Sequence, residues 1–350
     1  MDQPLLTVTL EASSILKLVL LGTAGFLLST ALTPVYTTIA YHWQLWKKPR
    51  SETLTGTKAT MFMKLHGEKH KRHIPTMAGV IFIVSIAALT LVLNWTRQET
   101  WLLLAAFVGA AIVGLADDII NIRSDGTGKA GLPSRLKLFL IMVVAGVGGW
   151  YFYYKLNFDS IQLPGLDQTS LVIGWWIIPL FTIVVVSTAN AVNISDGLDG
   201  LAGGLTTIAF GVYAIIAALE GKYGVAGFCV TTVGALMSYT WFNIFPARFF
   251  MGDVGSFALG TALGVVAMYT DTVLLLPIIG VVFVAEAGSV ILQIASKKLR
   301  NGKKIFLISP IHHHFEALGW PEAKVTMRFW VIGQVAALIG LALFVMGRYG

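Results

Sequence analysis

Long apolar segments separated by short polar ones make up almost the whole chain. About 20 consecutive apolar residues cross the hydrocarbon core of a bilayer as a helix. The pattern therefore predicts an all-α, polytopic integral membrane protein with about ten transmembrane helices, forming one domain over residues 1–350. The predicted segments lie near 18–42, 76–95, 100–116, 137–154, 171–190, 200–219, 223–243, 254–270, 272–296 and 327–347.

Three local features refine this pattern. The ninth predicted segment contains Pro277 and Glu286, so we expect it to be kinked or partly outside the membrane. The polar stretch 155–170, between the fourth and fifth segments, predicts a small hairpin or loop outside the membrane. Asp2 and Glu11 stand where a signal peptide would be basic, which argues against a cleaved signal.

The composition agrees with a membrane protein. Charged residues make up 12% of the chain, about half the share typical of soluble domains. The single cysteine, Cys229, lies inside an apolar segment, which excludes a disulfide framework and a thiolate metal site. The formal net charge of +7 could indicate nucleic-acid binding, but cytoplasmic loops of membrane proteins also collect lysine and arginine.

The distribution of positive charge distinguishes these alternatives and predicts the topology. Ten spans place both termini on one side and five loops on the other, near 43–75, 117–136, 191–199, 244–253 and 297–326. Of the 25 lysines and arginines, 20 lie in or beside these five loops. The five loops are therefore predicted to be cytoplasmic and both termini external, and no nucleic-acid partner is expected.

Carboxylates gather on the same side. Asp117 and Asp118 are adjacent in the second loop, Asp196 and Asp199 lie in the third, and Asp253 lies in the fourth. Because a charge at membrane depth is costly and usually functional, they predict a polar site at the boundary between cytosol and membrane. Taken singly, the first pair could be a helix end in water and Asp253 a helix N-terminal anion.

The stretch NAVNISDGLDGLAGG, residues 190–204, is the most polar part of this predicted site. Amides and carboxylates recur in it every third residue, at Asn190, Asn193, Asp196 and Asp199. Gly197 and Gly200 make an unbroken helix unfavourable, so we expect a helix end, a tight turn and a new helix starting near Asp199. Backbone N–H groups at such a helix start suit phosphate. A polar turn with helix caps is the alternative, and it explains Asp199 better than the amides.

Three other motifs add candidate ligands. NIFPARFFMGDVGS, residues 243–256, brings Asp253 to a helix start, and three acidic loops together make a Mg²⁺ site credible because Mg²⁺ prefers oxygen ligands. The triplet His312 to His314 is predicted to recognise phosphate or carbonyl groups or to form structural hydrogen bonds; zinc is disfavoured because adjacent side chains converge poorly. Most lysines of KHKRHIPTMAG are explained by a positively charged cytoplasmic loop, and Lys71 and Thr76, next to the membrane, are candidates for phosphate contact.

Acids for a metal, cations and amides for phosphate, and a site beside the lipid headgroups together indicate phosphoryl transfer with a lipid substrate. An ion-coupled transporter, in which the acids form an ion path, is the alternative from another class. The sequence shows no evident repeat and no acid along the middle of segments one to eight, which argues against a transporter.

At these motifs the sequence resembles the phospho-N-acetylmuramoyl-pentapeptide transferase family of the polyprenyl-phosphate N-acetylhexosamine-1-phosphate transferase superfamily. The resemblance rests on NAVNISDGLDGLAGG, FNIFPARFFMGDVGS and PIHHHFEALGWPE, with PTMAG and ADD before them, and runs from about residue 45 to the C-terminus. It implies Mg²⁺-dependent transfer from UDP-MurNAc-pentapeptide to undecaprenyl phosphate, which gives lipid I and UMP. It also implies a homodimer in the bacterial cytoplasmic (inner) membrane, with the active site facing the cytoplasm.

A sister enzyme is the nearest alternative within the superfamily. It transfers N-acetylglucosamine 1-phosphate from UDP-N-acetylglucosamine to the same undecaprenyl phosphate. The unbroken histidine triplet followed by FEALGWPE, together with PTMAG, favours the muramoyl enzyme.

The resemblance assigns roles by position in the motifs. It implies catalytic roles for Asp117, Asp118, Asp253, His312 and His313, with Asp253 as the metal ligand. It implies substrate contacts for Lys71, Thr76, Arg135, Asn190, Asn193, Asp196, Gly197, Leu198, Asp199, Asn243, Phe250, Gly252, Ser256, Glu286 and His314, with Leu198 and Phe250 near the uracil. Three positions depart from the family pattern: Asn121 and Arg135 replace lysines, and HIPTMAG replaces GTPTMGG.

Overall fold

The computed structural model describes residues 12–46, 73–124, 131–162 and 170–349. These residues are almost entirely helical, which confirms the all-α class. The helices are α1 (Ala12–His42), α2 (Gly79–Leu93), α3 (Trp101–Arg123), α4 (Ser134–Tyr154), α5 (Ile177–Ser195), α6 (Leu201–Leu219), α7 (Tyr223–Asn243), α8 (Gly252–Tyr269), α9 (Leu276–Ile279), α10 (Val281–Leu299), α11 (Ile311–Ala317) and α12 (Glu322–Tyr349). The predicted hairpin is present as an antiparallel pair, β1 (Ser160–Gln162) and β2 (Ser170–Val172), with Ile161 opposite Leu171.

Eight helices of the described chain are long and apolar enough to cross a membrane. They are α1, α3, α4, α5 with the 3₁₀ turn before it, α6, α7, α8 and α12. Helix α2 is apolar but has only 15 residues, and α10 carries Lys297 and Lys298 in its last turn and Glu286 within it. The helices thus belong to a membrane protein, while ten spans and the sidedness of the loops stay predictions.

The ninth predicted segment is divided, as the expected kink required. Helix α9 ends at Ile279 and α10 begins at Val281, so the break falls at Gly280. Pro277 lies in the first turn of α9, where its missing N–H leaves no hydrogen bond unmade. The interruption is therefore at the glycine and not at the proline.

Two predicted helix ends were placed too early. Helix α3 runs to Arg123 rather than ending at 116, because Ile119 and Ile122 continue its apolar face against the core. Asp117 and Asp118 therefore lie inside a helix and not in a loop. Helix α5 likewise continues through Asn190 and Asn193 to Ser195.

Helix α8 forms the centre of the bundle and positions the site. Nearly all of its residues are buried, and it packs between α3 and α5. A Cβ on Gly114 of α3 would lie 2.2 Å from the Asp253 carbonyl oxygen, and one on Gly260 would lie 2.5 Å from the Thr188 carbonyl oxygen of α5. Glycines permit such close helix packing in membranes. The ends of α3 and α5 therefore meet the start of α8.

Candidate active site

Three carboxylates from two helices converge where α3 meets α8. Asp117 and Asp118 lie near the end of α3, and Asp253 lies in the first turn of α8. One oxygen from each side chain can be chosen so that all three lie within 4.8 Å of one another. The convergence expected from the sequence is confirmed, and we call these three residues the acidic cluster.

Lys137 of α4 joins two members of the acidic cluster. Its Nζ lies 2.6 Å from Oδ2 of Asp253 and 3.1 Å from Oδ2 of Asp117, and its side chain is 20% exposed. Three carboxylates and one ammonium leave a formal charge of −2 on this group. Oxygen donors with a net negative charge suit Mg²⁺. In proteins this ion usually binds one or two carboxylates and completes its coordination with water and substrate phosphates.

Asp117 and Asp118 face different partners. Oδ1 of Asp117 accepts the Leu132 N–H at 2.7 Å, and Oδ2 of Asp118 accepts the Val254 N–H at 3.0 Å. Asp118 therefore caps the start of α8 and fixes Asp253 relative to α3. Gly252 has φ +77°, and a Cβ there would lie 2.5 Å from Oδ2 of Asp118. Its predicted place in the site is thus explained by close backbone approach.

The two asparagines of α5, Asn190 and Asn193, have different hydrogen-bond partners. Asn193 donates from Nδ2 to Oδ1 of Asp253 at 3.2 Å and to Oγ of Ser256 at 2.9 Å. Asn190 donates to the Val186 carbonyl of its own helix at 2.8 Å. The structure therefore brings Asn193 and Ser256 to the acidic cluster, and it bonds Asn190 within α5.

Asp199 ties three segments together. Its Oδ2 accepts the Ala247 N–H at 3.0 Å, its own N–H donates to Oε1 of Glu322 at 2.7 Å, and its carbonyl accepts the Thr326 hydroxyl at 3.2 Å. The residue is 2% exposed. These three bonds of Asp199 hold loops together, and the substrate contact expected of this residue stays a prediction.

Asn243 acts in the same way. Its Oδ1 accepts the Gly200 N–H at 2.9 Å, and its Nδ2 donates to the Phe249 carbonyl at 2.8 Å. It is buried, so it joins the two loops rather than facing an open pocket.

The residues predicted to hold uracil divide into accessible and buried ones. Asp196 and Phe250 are half-buried and Gly197 is exposed. Leu198 is 4% exposed and lies within the hydrophobic core, and its place beside uracil stays a prediction.

The PTMAG segment runs beside the loop that carries Asp253. The Phe250 N–H donates to the Pro75 carbonyl at 2.8 Å, and the Ala78 N–H donates to the Phe250 carbonyl at 3.0 Å. Thr76 is buried, its N–H donates to the Leu45 carbonyl at 2.7 Å, and its carbonyl accepts the Tyr36 hydroxyl. These bonds of Thr76 are thus made by its backbone and join it to Leu45 and Tyr36, and its predicted contact with phosphate stays a prediction. Lys71 lies outside the described residues.

The three histidines have three different partners. Nδ1 of His312 lies 2.8 Å from Oε2 of Glu286, and both side chains are fully buried. Nδ1 of His313 lies 2.7 Å from Oε2 of Glu316, and Nδ1 of His314 accepts the Leu307 N–H at 3.2 Å. The structural hydrogen bonding predicted for the triplet is therefore present.

His312 also approaches the predicted uracil turn. A Cβ on Gly197 would lie 2.3 Å from Nε2 of His312. A side chain at position 197 would therefore require the buried imidazole to move. Glu286 and His312 therefore lie directly behind the turn that contains Asp196.

The cation that reaches the acidic cluster is Lys137, for which the sequence predicted no role, and not the predicted Arg135. Arg135 is exposed, and Lys137 reaches the acids. Residues two apart on a helix point about 200° apart, so only one of them can face α8. A signal for Lys137 was present: it is the last charge before a long apolar run, and charges at membrane depth usually have a partner inside the protein.

An apolar cavity lies beside helix α5. It has a volume of about 350 Å³ and lies between α5 and the broken pair α9 and α10. Ile183, Ser187, Ala191, Phe283 and Ile291 are among the residues that line it. On α5 the lining ends at Val192, next to Asn193. An apolar chain in this cavity would therefore have its polar end near Asp253.

Comparison with known proteins gives matches over most of the chain. Residues 100–271 match a family described as glycosyl transferase family 4. The chain is 38% identical over 340 residues to a phospho-N-acetylmuramoyl-pentapeptide-transferase of Geobacillus sp., covering 95% of this chain and 98% of that protein. Proteins of the same name from Chloroflexus aurantiacus (39% over 282 residues, 77% of this chain and 76% of that protein) and Thermodesulfovibrio yellowstonii (38% over 292 residues, 77% and 80%) are also similar. The acidic cluster, Lys137 and Asn193 all lie within 100–271.

Proposed function

Since the chain belongs to the phospho-N-acetylmuramoyl-pentapeptide transferase family, we propose that it transfers phospho-N-acetylmuramoyl-pentapeptide from UDP-MurNAc-pentapeptide to undecaprenyl phosphate. The chain is a membrane transferase of peptidoglycan synthesis, and its products are lipid I and UMP. The acidic cluster with Lys137 carries the proposal. A soluble nucleotide and a membrane lipid must bring their phosphates together at the end of the membrane helices, where this cluster lies.

The acidic cluster is the proposed Mg²⁺ site. Asp117 and Asp253 would hold the ion, and Asp118 would fix the α8 backbone beside it. When bound, Mg²⁺ supplies charge neutralisation for the transferred phosphoryl group. The fit rests on the donor set, since the clustered groups are carboxylates and their net charge with Lys137 is negative.

Each neighbouring side chain has a role in positioning phosphate. Lys137 donates to phosphate oxygens and offsets their charge, and Asn193 fixes the orientation of the Asp253 carboxylate. An oxygen of undecaprenyl phosphate attacks the β-phosphorus, and the bond from that phosphorus to the oxygen bridging to the α-phosphate breaks. A phosphate monoester is already anionic near pH 7, so the attack needs no general base.

The apolar cavity between α5 and α10 supports a lipid acceptor. Its lining ends next to Asn193, which bonds to Asp253. A polyprenyl chain lying there would present its phosphate to the acidic cluster. Two half-buried residues, Asp196 of the glycine-rich turn and Phe250 of the loop before α8, are proposed to take the uracil by hydrogen bonding and stacking.

The proposal places the site on the cytoplasmic face and both termini on the other face. Support comes from the lysine and arginine distribution. The only cysteine, Cys229, is buried, so a single cysteine introduced at the surface can be labelled selectively. With an impermeant maleimide added to intact cells, we expect Ser170→Cys to be labelled and Asn301→Cys to be protected. Labelling of Asn301→Cys from outside intact cells would reverse the topology. The homodimer stays a prediction.

A transfer assay tests the chemistry. Purified protein is given undecaprenyl phosphate and Mg²⁺ with either radiolabelled UDP-MurNAc-pentapeptide or UDP-N-acetylglucosamine. We expect lipid-linked label and stoichiometric UMP with the first substrate only. Transfer from UDP-N-acetylglucosamine alone would identify the sister activity, and absence of UMP release with both would contradict an enzyme.

A further inference from the structure

A second groove lies between α1 and the loop that follows α7. Pro75, the first residue of the PTMAG segment, also lines it. Its volume is about 560 Å³. The α1 wall includes Tyr36, Thr38 and Tyr41, and the opposite wall includes Phe242 and Arg248. We call it the α1 groove. Helix α1 packs against α7 and α2, so this groove is distinct from the cavity beside α5 and α10.

The lining of the α1 groove is amphiphilic. Phe242 and Phe249 pack against each other with ring centroids 5.7 Å apart and form its apolar part. Tyr41 is 53% exposed, and Trp43, which follows it, is 70% exposed. Exposed tyrosine and tryptophan at a helix end mark the depth of the lipid headgroups. The groove therefore crosses the boundary between acyl chains and headgroups.

Arg248 gives the groove its charge. It is exposed, and within the described residues no carboxylate forms an ion pair with its guanidinium. Nothing in the proposed chemistry uses it, because Lys137 serves the acidic cluster. A guanidinium binds phosphate through two parallel hydrogen bonds, and at this depth the abundant phosphates belong to bilayer lipids.

The walls of the groove are also supports of the active site. The Tyr36 hydroxyl donates to the Thr76 carbonyl, and its ring contacts that of Phe249 at 5.7 Å. Phe250 follows directly and bonds to both Pro75 and Ala78. A molecule seated against Tyr36 and Phe249 would therefore restrain the PTMAG segment and the loop that leads to Asp253.

We propose that the α1 groove binds an anionic phospholipid of the surrounding bilayer. Its phosphate pairs with Arg248, and an acyl chain lies against α1 and Phe242. The bound lipid stabilises the PTMAG segment and the loop before α8. The binding itself does not depend on the proposed reaction, so it is testable even if that reaction is wrong.

Lipid binding is measured on the full-length protein in neutral detergent. Retained dioleoylphosphatidylglycerol, dioleoylphosphatidylcholine and undecaprenyl phosphate are quantified by native mass spectrometry, and melting is followed with each lipid. The variants are Arg248→Gln, Thr38→Phe, which fills the groove and leaves the charge, and Arg300→Gln, an exposed arginine elsewhere, as the matched control. Melting without lipid verifies that each variant folds.

We expect phosphatidylglycerol to bind wild type and Arg300→Gln equally. Arg248→Gln should bind it roughly five- to tenfold more weakly, the effect of one basic residue at a membrane surface, and Thr38→Phe should lose binding. Equal retention by Arg248→Gln and wild type would overturn the proposal. So would tighter binding of undecaprenyl phosphate than of phosphatidylglycerol with loss in Arg248→Gln, because the groove would then belong to the acceptor lipid.

Discussion

Lys137→Gln separates the roles of the cation and of the metal at this site. The substitution keeps most of the side-chain length and removes the charge that lies between Asp117 and Asp253. We expect a large loss of turnover together with a tighter apparent affinity for Mg²⁺. The two effects have opposite directions because the lysine attracts phosphate and repels a divalent cation.

The distances give the scale of the effect. At 2.6 Å and 3.1 Å the gross attractions to the two carboxylates are about 6 and 5 kcal/mol at an effective dielectric constant of about 20, before desolvation is subtracted. Removal of one such donor from a phosphoryl site costs about 3 kcal/mol at the transition state, or roughly 10²–10³ in kcat. The formal charge of the acidic cluster and its cation changes from −2 to −3, which favours Mg²⁺ binding. The Mg²⁺ concentration that gives half-maximal activity should fall about tenfold for each 1.4 kcal/mol of binding free energy gained.

The assay is UMP release against Mg²⁺ concentration with both substrates saturating. Arg135→Gln is the matched comparison, because it removes an exposed arginine from the same helix turn. Its turnover and its Mg²⁺ requirement should stay close to wild type. Near-normal kcat for Lys137→Gln, or a higher Mg²⁺ requirement, would refute the argument. The first would show that the lysine does not act on phosphate, and the second that it organises the metal site.

The helices and the convergence of the acids could be predicted because both follow from the cost of placing groups in a membrane. Apolar runs fix where helices form, and charge at their ends has few stable environments. Asp117 and Asp253 were therefore assigned to one site although they are far apart in sequence. The end of α3 could not be predicted from the pattern. Two adjacent charges after an apolar run, Asp117 and Asp118, are typical of the start of a loop. The helix continues because Ile119 and Ile122 pack against the hydrophobic core.

One physical cause explains why the sequence could not divide the roles among the residues of the site. Asp196 and Asp199 stand in similar glycine-rich surroundings, and either could bind a ligand or cap backbone groups. The hydrogen-bond partners of each aspartate decide between these two roles, and the partners of Asp199 are far away in the sequence. Ala247 is 48 residues away and Glu322 is 123 residues away. Likewise, the choice between Arg135 and Lys137 depends on the rotation of α4 against α8, which one helix alone does not define.

Three further outcomes test the remaining assignments. Asp253→Asn should fold but lose transfer and lose the rise in melting temperature caused by Mg²⁺, since a metal contributes several kcal/mol at the transition state; normal transfer at saturating Mg²⁺ would contradict the metal assignment. Burial raises the pKa of Asp271, whose carboxylate accepts the Gln162 N–H at 3.0 Å. The native state therefore favours its proton, and stability falls as pH rises from the usual aspartate range through the raised pKa. Asp271→Asn should remove that dependence in melting curves and be at least as stable at pH 7, since asparagine tolerates the φ of +50°; lower stability at pH 7 would show that the carboxylate is favourable when charged. Asp199→Ala and Asp196→Ala should differ in kind. Loss of the Asp199 carboxylate leaves the buried Ala247 N–H without its acceptor and costs about 1–3 kcal/mol of stability, so we expect a lower melting temperature with unchanged UMP affinity in the folded fraction. Asp196→Ala should melt normally and bind UMP more weakly by calorimetry. An Asp199→Ala protein that melts like wild type but does not turn over would mean that this carboxylate leaves Ala247 to act on substrate.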